Sequence, residues 1–319
     1  MKKVFLPLVA LLMTAQMAFA QDAETTTSPW THGGMVGLNF AQSHFSNWAA
    51  GGQDNINMLG TFIYNIDLNK GKHKWENDID LQLGYNYFNL KKMPIKTDDR
   101  LFIGSLYGFN VVKDKLFVSA NLTFQTQFAP GYDYEADTLK ISEFMAPAYT
   151  TLGLGVDWTP TASDARVVFS MNVAPVTGKL TIVNNQTFAD EGRYGMEGAK
   201  YEINGLDTLN VIHSKKTRME LGAKVTAKFK AEVFKNVIFT SKLDMFYDYI
   251  NELKRNYNCP IDFDWDNLLT LKVNDWLNCN ISARLVYDED VFPWVDGKCA
   301  EKVLQFKEVF SLGLSYKIR

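Results

Sequence analysis

Residues able to do chemistry are few in this chain, and they are scattered. Four histidines occur, His32, His44, His73 and His213, and no two share the i, i+4 spacing of a helical metal pair or the i, i+2 spacing of a strand pair. A hydrolase needs a serine or aspartate poised against a histidine base. Only His44, beside Ser43 and Ser46, offers that locally, and adjacency in sequence does not make a hydrogen bond. Gly33-Gly34 and Gly51-Gly52 fit no phosphate-cradling motif and read as a strand start and an outer turn. In Leu152-Gly153-Leu154-Gly155 both glycines fall on the polar face of a strand, where a missing side chain lets neighbouring groups pass. This set predicts no enzyme, no metal and no cofactor. Of the three cysteines, Cys259 and Cys299 fall in successive long loops and form the candidate disulfide, while Cys279 on an apolar face should stay a thiol. Spacing fixes no Cα separation, so three free thiols stay open.

Charge recurs at every second position instead. From Met219 to Ala231 the odd positions are Met219, Leu221, Ala223, Val225, Ala227, Phe229 and Ala231, and the even ones Glu220, Gly222, Lys224, Thr226, Lys228 and Lys230. One face is apolar and the other polar, the period of a strand. From Trp75 the alternation sets Ile79, Leu81, Leu83, Tyr85 and Tyr87 against Glu76, Asp78, Asp80, Gln82 and Asn86. Twelve such strands begin near Gly33, Ile56, Trp75, Leu101, Leu116, Ala148, Val167, Thr217, Val237, Asp262, Leu277 and Val303. Many are about 11 to 15 residues long, against about five or six in soluble sheets and about 9 to 11 for crossing a bilayer with tilt.

The connections alternate in length. Residues 70–74, 113–115, 160–164, 232–236 and 274–276 are tight, and residues 44–55, 89–99, 129–146, 177–216, 250–261 and 288–302 are long. That rhythm predicts an all-β fold, an up-and-down antiparallel transmembrane barrel with short periplasmic turns and long outer loops. A soluble sandwich or lipocalin-like barrel is the alternative, but it would scatter aromatics through its middle. Here Trp75, Tyr107, Phe109, Trp158 and Phe229 gather toward the short turns, and Tyr85, Tyr87, Tyr247, Tyr249 and Trp265 toward the long loops, as belts at the two interfaces. The polar faces then point into a lumen. Glu76, Asp78 and Asp80 of the third strand line one wall, and Arg218, Lys224, Lys228 and Lys230 of the eighth with Lys242 of the ninth line the facing one, Asp78 and Asp80 at similar depth to Lys224 and Lys228; Glu220, Asp244, Lys272, Arg284 and Lys307 also point inward. Twelve strands enclose a bore between a filled small barrel and an open porin, so a narrow pore and a salt-bridged plug are both open.

Composition agrees with this placement. The 33 basic and 36 acidic residues leave a net charge of −3 with no basic cluster, which excludes a nucleic-acid partner. Lys2 and Lys3 precede an apolar run ending in Ala18-Phe19-Ala20, a signal peptide expected to be cleaved after Ala20, leaving residues 21–319 as one barrel domain. Its partners would be outer-membrane lipid, the barrel-insertion machinery and an envelope protein docked on the outer loops.

Two resemblances carry further expectations. Ser311-Leu312-Gly313-Leu314-Ser315-Tyr316-Lys317-Ile318 resembles the terminal signal read by the barrel-insertion machinery, with Ser311, Gly313, Tyr316 and Ile318 at its positions, though the chain ends in Arg319. Trp30-Thr31-His32-Gly33-Gly34, Leu38-Asn39-Phe40-Ala41-Gln42, Phe45-Ser46-Asn47-Trp48-Ala49-Ala50-Gly51-Gly52, Asn274-Asp275-Trp276-Leu277 and Leu285-Val286-Tyr287-Asp288-Glu289-Asp290 resemble a domain-of-unknown-function family of outer-membrane proteins from Bacteroides-type Gram-negative bacteria. That resemblance implies an outer-membrane location and supplies no activity. Three roles follow in order of expectation: a narrow channel for small hydrophilic solutes, a non-conducting anchor or subunit of an envelope complex, and an outer-membrane hydrolase.

Overall fold

The computed structural model describes residues 28–43, 55–88, 94–112, 115–133, 139–162, 165–204, 208–250, 261–288, 294–295, 298–299 and 304–318. The expected signal peptide, His44 and Cys259 lie outside these residues, as does the side chain of Cys299.

Alternation of apolar and polar residues builds β1 (Trp30–Ser43), β2 (Asn55–Lys70), β3 (His73–Phe88), β4 (Ile95–Val112), β5 (Leu116–Thr126), β8 (Ala148–Trp158) and β9 (Val167–Ile182). It continues through β12 (Thr217–Phe234), β13 (Val237–Asp248), β14 (Ile261–Lys272), β15 (Leu277–Tyr287) and β18 (Gln305–Ile318). These twelve close into one antiparallel barrel in which each pairs with its predecessor and successor, and β1 meets β18 from Gly34↔Ile318 to Phe40↔Leu312. Closure satisfies backbone groups that lipid could not. Tight turns such as Gly71-Lys72 and Lys235-Asn236 lie at one end. The long connections at the other carry three hairpins, β6 (Gly131–Asp133) with β7 (Leu139–Ser142), β10 (Lys200–Asn204) with β11 (Thr208–Ile212) and β16 (Trp294–Val295) with β17 (Lys298–Cys299).

The apolar side chains mostly face outward. Phe40, Ile103, Val118, Leu152, Leu154, Val176, Met219, Phe310, Leu312 and Leu314 are all exposed on the barrel wall. So large an apolar girdle is a surface for lipid rather than water. A compact apolar cluster lies instead at the long-loop end, where helix α1 (Gln186–Asp190), capped by the Asn185 side chain, buries Phe188 and Ala189 against Ala146, Val183 and Met196. Residues 183–216 thus include a folded cap.

Two segments expected as loops are strand. β9 runs on to Ile182 where residues 177–216 were expected to leave the wall, and β4 begins at Ile95 rather than Leu101. β9 accommodates Pro175 in a bulge: Gly222 and Lys224 on β12, and Leu154 and Val156 on β8, each span three residues of β9 where they themselves span two. Beyond the bulge Thr177, Lys179 and Thr181 resume the inward alternation, all buried. Gly155 makes room for it, since a Cβ there would sit 2.0 Å from the Val173 carbonyl oxygen.

Candidate functional site: the charged lumen and its outer mouth

Contacts between strands that are not neighbours can only cross the lumen, and they define the site. Arg100 on β4 and Asp266 on β14 stand on diametrically opposite strands, yet Nη1 is 3.5 Å from Oδ2, and Arg100 Nε is 3.6 Å from Asp80. Arg284 Nη2 reaches Asp264 at 2.6 Å, and its Nε lies 3.4 Å from Asp266. Phe102, on the inward face of β4, receives Arg100 at 5.1 Å and Lys242 at 5.0 Å from its ring centre. Toward the short turns Lys228 on β12 lies 3.6 Å from Asp78 on β3. Beside it Asp244 holds Lys242 at 2.8 Å and Lys224 at 3.8 Å, and accepts a hydrogen bond from Thr226. At the short-turn end Lys74 bridges Glu76 at 2.8 Å and Asp157 at 3.0 Å.

These pairs form a ladder of opposite charges along the bore, and the rung toward the short turns is accessible. The Lys228 side chain keeps 49% of its surface accessible and Asp78 35%. Among the described residues every rung is a side chain of the wall.

The outer mouth is tighter. Lys179, only 8% exposed, lies 2.8 Å from Asp262, 3.6 Å from Glu220 and 3.9 Å from Asp288, with its ammonium 5.2 Å from the Phe246 ring centre and 5.9 Å from that of Tyr149. Glu220 also takes Arg218 at 3.3 Å. Lys307 crosses from β18 to the Asp98 carboxylate and the Thr97 carbonyl. Above this ring the cap is held together by Asp190, which accepts hydrogen bonds from His213 Nδ1 at 2.7 Å, Gln186 at 2.8 Å and the Ser214 N–H at 2.8 Å. The His213 bond holds the Asp190 carboxyl below the ordinary carboxylate range. Tyr194 donates to the Ile141 carbonyl, and burial pushes its phenol up to about 12.

Of the remaining sequence-derived residues, Lys230 and Lys272 are exposed near the short-turn end. Trp75 and Tyr107 sit on the outer surface with His73 bonded to the Tyr107 hydroxyl, and Trp75 Nε1 donates to Ser105 at 2.8 Å. Trp158 meets Phe169, Phe229 meets Phe239, Tyr85 meets Tyr87, Tyr247 meets Tyr249, and Trp265 donates to Ser241. Ser311, Gly313, Tyr316 and Ile318 lie in β18, where Gly313 passes between Asn39 and Asn278. Cys279 is a free thiol. Among the described residues no three His, Cys, Asp or Glu side chains group as metal ligands. Sequence reasoning missed Lys74, Arg100, Asp157, Lys179, Asp262, Asp264 and Asp266. Asp262, Asp264 and Asp266 alternate with Phe263 and Trp265, a signal present in the sequence, whereas Lys179 lay in a stretch read as a loop and Arg100 just ahead of the strand read from Leu101.

The geometry can be set beside known proteins. Residues 40–132 match the family described as "Protein of unknown function (DUF3078)". No curated protein matches the chain. Among solved structures, the NanC porin is similar at 6% identity and a TM-score of 0.37, covering 91% of this chain and 100% of that one. The COG4313 outer membrane channel from Pseudomonas putida F1 follows at 11% identity and 0.37, with 93% and 97% covered. The translocator domain of autotransporter NalP from Neisseria meningitidis gives 9% identity and 0.35, with 98% and 96% covered. Likenesses this distant say nothing of what the lumen carries.

Proposed function

We propose that this chain is an outer-membrane barrel whose narrow, charge-lined lumen passes small hydrophilic solutes and is closed at rest by its own ion pairs. One observation carries the reading: Arg100 and Asp266, from opposite sides of the wall, meet at 3.5 Å in a bore where Lys228 and Asp78 remain water-accessible. Charges left inward in so small a barrel require partners or water; these have partners, and the Lys228 and Asp78 side chains are also accessible. Closure by side chains is reversible on the time scale of rotamer exchange, which closure by a folded plug is not. The outer membrane as location rests on the exposed apolar girdle with its aromatic rims.

The anchor reading is favoured by a different feature, the folded cap of residues 183–216 with its buried cluster around Phe188. Planar-bilayer recording of the purified protein separates the two. Brief, small openings that become more frequent with salt agree with the closed-channel reading; a silent bilayer at every salt concentration, with protein inserted, leaves only the anchor.

A further inference from the structure

The seam that closes the barrel is sealed over only part of its length. All fourteen residues of β1 pair with β2, but only those from Gly34 to Phe40 pair with β18, where the ladder stops at Phe40↔Leu312. Beyond it β1 follows β2 through Ala41, Gln42 and Ser43, and β18 follows β15 through Ser311, Phe310 and Val309 toward Gln305. Continued register would set these residues opposite one another, yet among the described residues nothing pairs with that edge of β18. The open edge lies below the outer rim: it runs beside Asn280, Ile281 and Ser282, whereas the rim ring Tyr287, stacked on Phe263, stands at the end of β15. An unpaired edge at membrane depth is a break in the wall. Glu308 lies on this stretch, exposed on an outward face whose other positions from Phe306 to Tyr316 are apolar or aromatic. Ionisable groups at such depth belong to polar pathways. Inside the break, the inward positions of β1 from Thr31 to Ala41 carry no charge, and neither do Val309, Ser311 and Gly313 of β18. The nearest cations are Lys307 and its cross-strand partner Arg284, with side chains 43% and 31% accessible, and each already holds a carboxylate.

We propose that the outer half of the β1–β18 seam is a side portal for a long-chain carboxylate, its head held inside at Lys307 and Arg284 and its acyl chain passing between the two strands into lipid. The uncharged inner strip lets the chain lie against the wall without desolvating a charge. Glu308 repels a carboxylate on the outer side, so the head belongs on the inner one. The two cations would exchange their present acids, Asp98 and Asp264, for the head. This route runs through the wall, so it goes beyond the axial passage proposed above and does not depend on it.

The test is a map of where the chain lies. Full-length folded barrel in phosphatidylcholine vesicles is irradiated with hexadecanoic acid carrying a diazirine at mid-chain, and labelled residues are located by mass spectrometry. Label should fall on the inward Ala41 and Leu59 as well as on the outward Leu312 and Leu314, which bulk lipid reaches. The corresponding alcohol should label the outward pair equally and the inward pair several-fold less, and Lys307→Gln should lower inward labelling by the acid in the same way. Label confined to outward residues, or inward labelling that is equal for acid and alcohol, overturns the site. Entry along the axis is separated by closing the seam. With the native cysteines replaced by serine, Gln42→Cys and Phe310→Cys are joined by a disulfide, or by a short bismaleimide where the strands stand too far apart, and heat-modified gel mobility shows that the barrel is intact. Inward labelling by the acid should then fall to the level of the alcohol, and labelling that persists in the locked barrel overturns the portal. A barrel that takes the acid through its seam and never conducts ions would leave this inference standing and end the axial reading.

Discussion

Arg100→Gln tests the closed waist most sharply. Arg100 spans to Asp266 at 3.5 Å and to Asp80 at 3.6 Å, its side chain 15% exposed and that of Asp266 36%. An exposed bridge is worth about 0–1 kcal/mol, and breaking a fully buried one costs about 3–5 kcal/mol. This pair lies between, and solvent on the Asp266 side discounts it to about 1–2 kcal/mol, a factor of about 5–30 in the ratio of open to closed states. Asp80 and Asp266 then lose a shared cation, so the opened bore should also prefer cations. Single-channel recording at low salt should show the open probability of Arg100→Gln raised by that factor. Near 1 M salt, where the screening length is about 3 Å, wild type and variant should converge. Equal open probability at low salt would mean that Arg100 does not close the bore.

Other consequences are read on different parts of the wall. Ala223→Arg places a charge on the lipid face, and a loss of about 2–4 kcal/mol is expected near the bilayer midplane; heat-modified gel mobility should show impaired assembly, while Lys230→Gln on the opposite face leaves assembly intact. Gly155→Ala pushes a Cβ against the Val173 carbonyl, so β9 must shift and the folded band should melt with a loss of about 1–3 kcal/mol. The depressed Asp190 carboxyl contributes stability that is fully present above its unfolded pKa of about 3.9 and is lost as pH falls through the lower folded value. Limited proteolysis of the cap should accordingly accelerate in that acid range, and His213→Ala should raise the pH at which it begins.

The barrel was legible because alternation, strand length and connection length are separate signals that agree. Lipid demands an unbroken apolar face, and β12 writes it without a fault from Met219 to Ala231. The signals failed where that demand lapses. At the head of β4, Lys96, Thr97, Asp98 and Asp99 read as a polar loop, but a rim near the headgroups needs no apolar face, and the register shift opposite Gly84 and Tyr85 breaks the period. In β9, the bulge accommodates Pro175, which lacks an N–H donor, just before the stretch read as a long connection from residue 177, and the strand alternation resumes beyond it. So Arg100 and Lys179, which pair at the waist and the mouth, fall outside the twelve strands that the alternation marks. Strand count and alternation set Asp78 and Lys228 on facing parts of the wall at similar depth, and the two meet at 3.6 Å. Partners such as Arg100 and Asp266 were not legible, because they are set by the shear of the closed barrel and local periodicity carries no record of it.

A lumen that is continuous but closed by wall side chains is tested most directly by the current through single wild-type barrels as salt is raised. Such a bore is mostly closed at low salt, with small, brief openings whose frequency grows faster than the conductivity of the solution. A large, permanently open conductance that merely tracks that conductivity would contradict it.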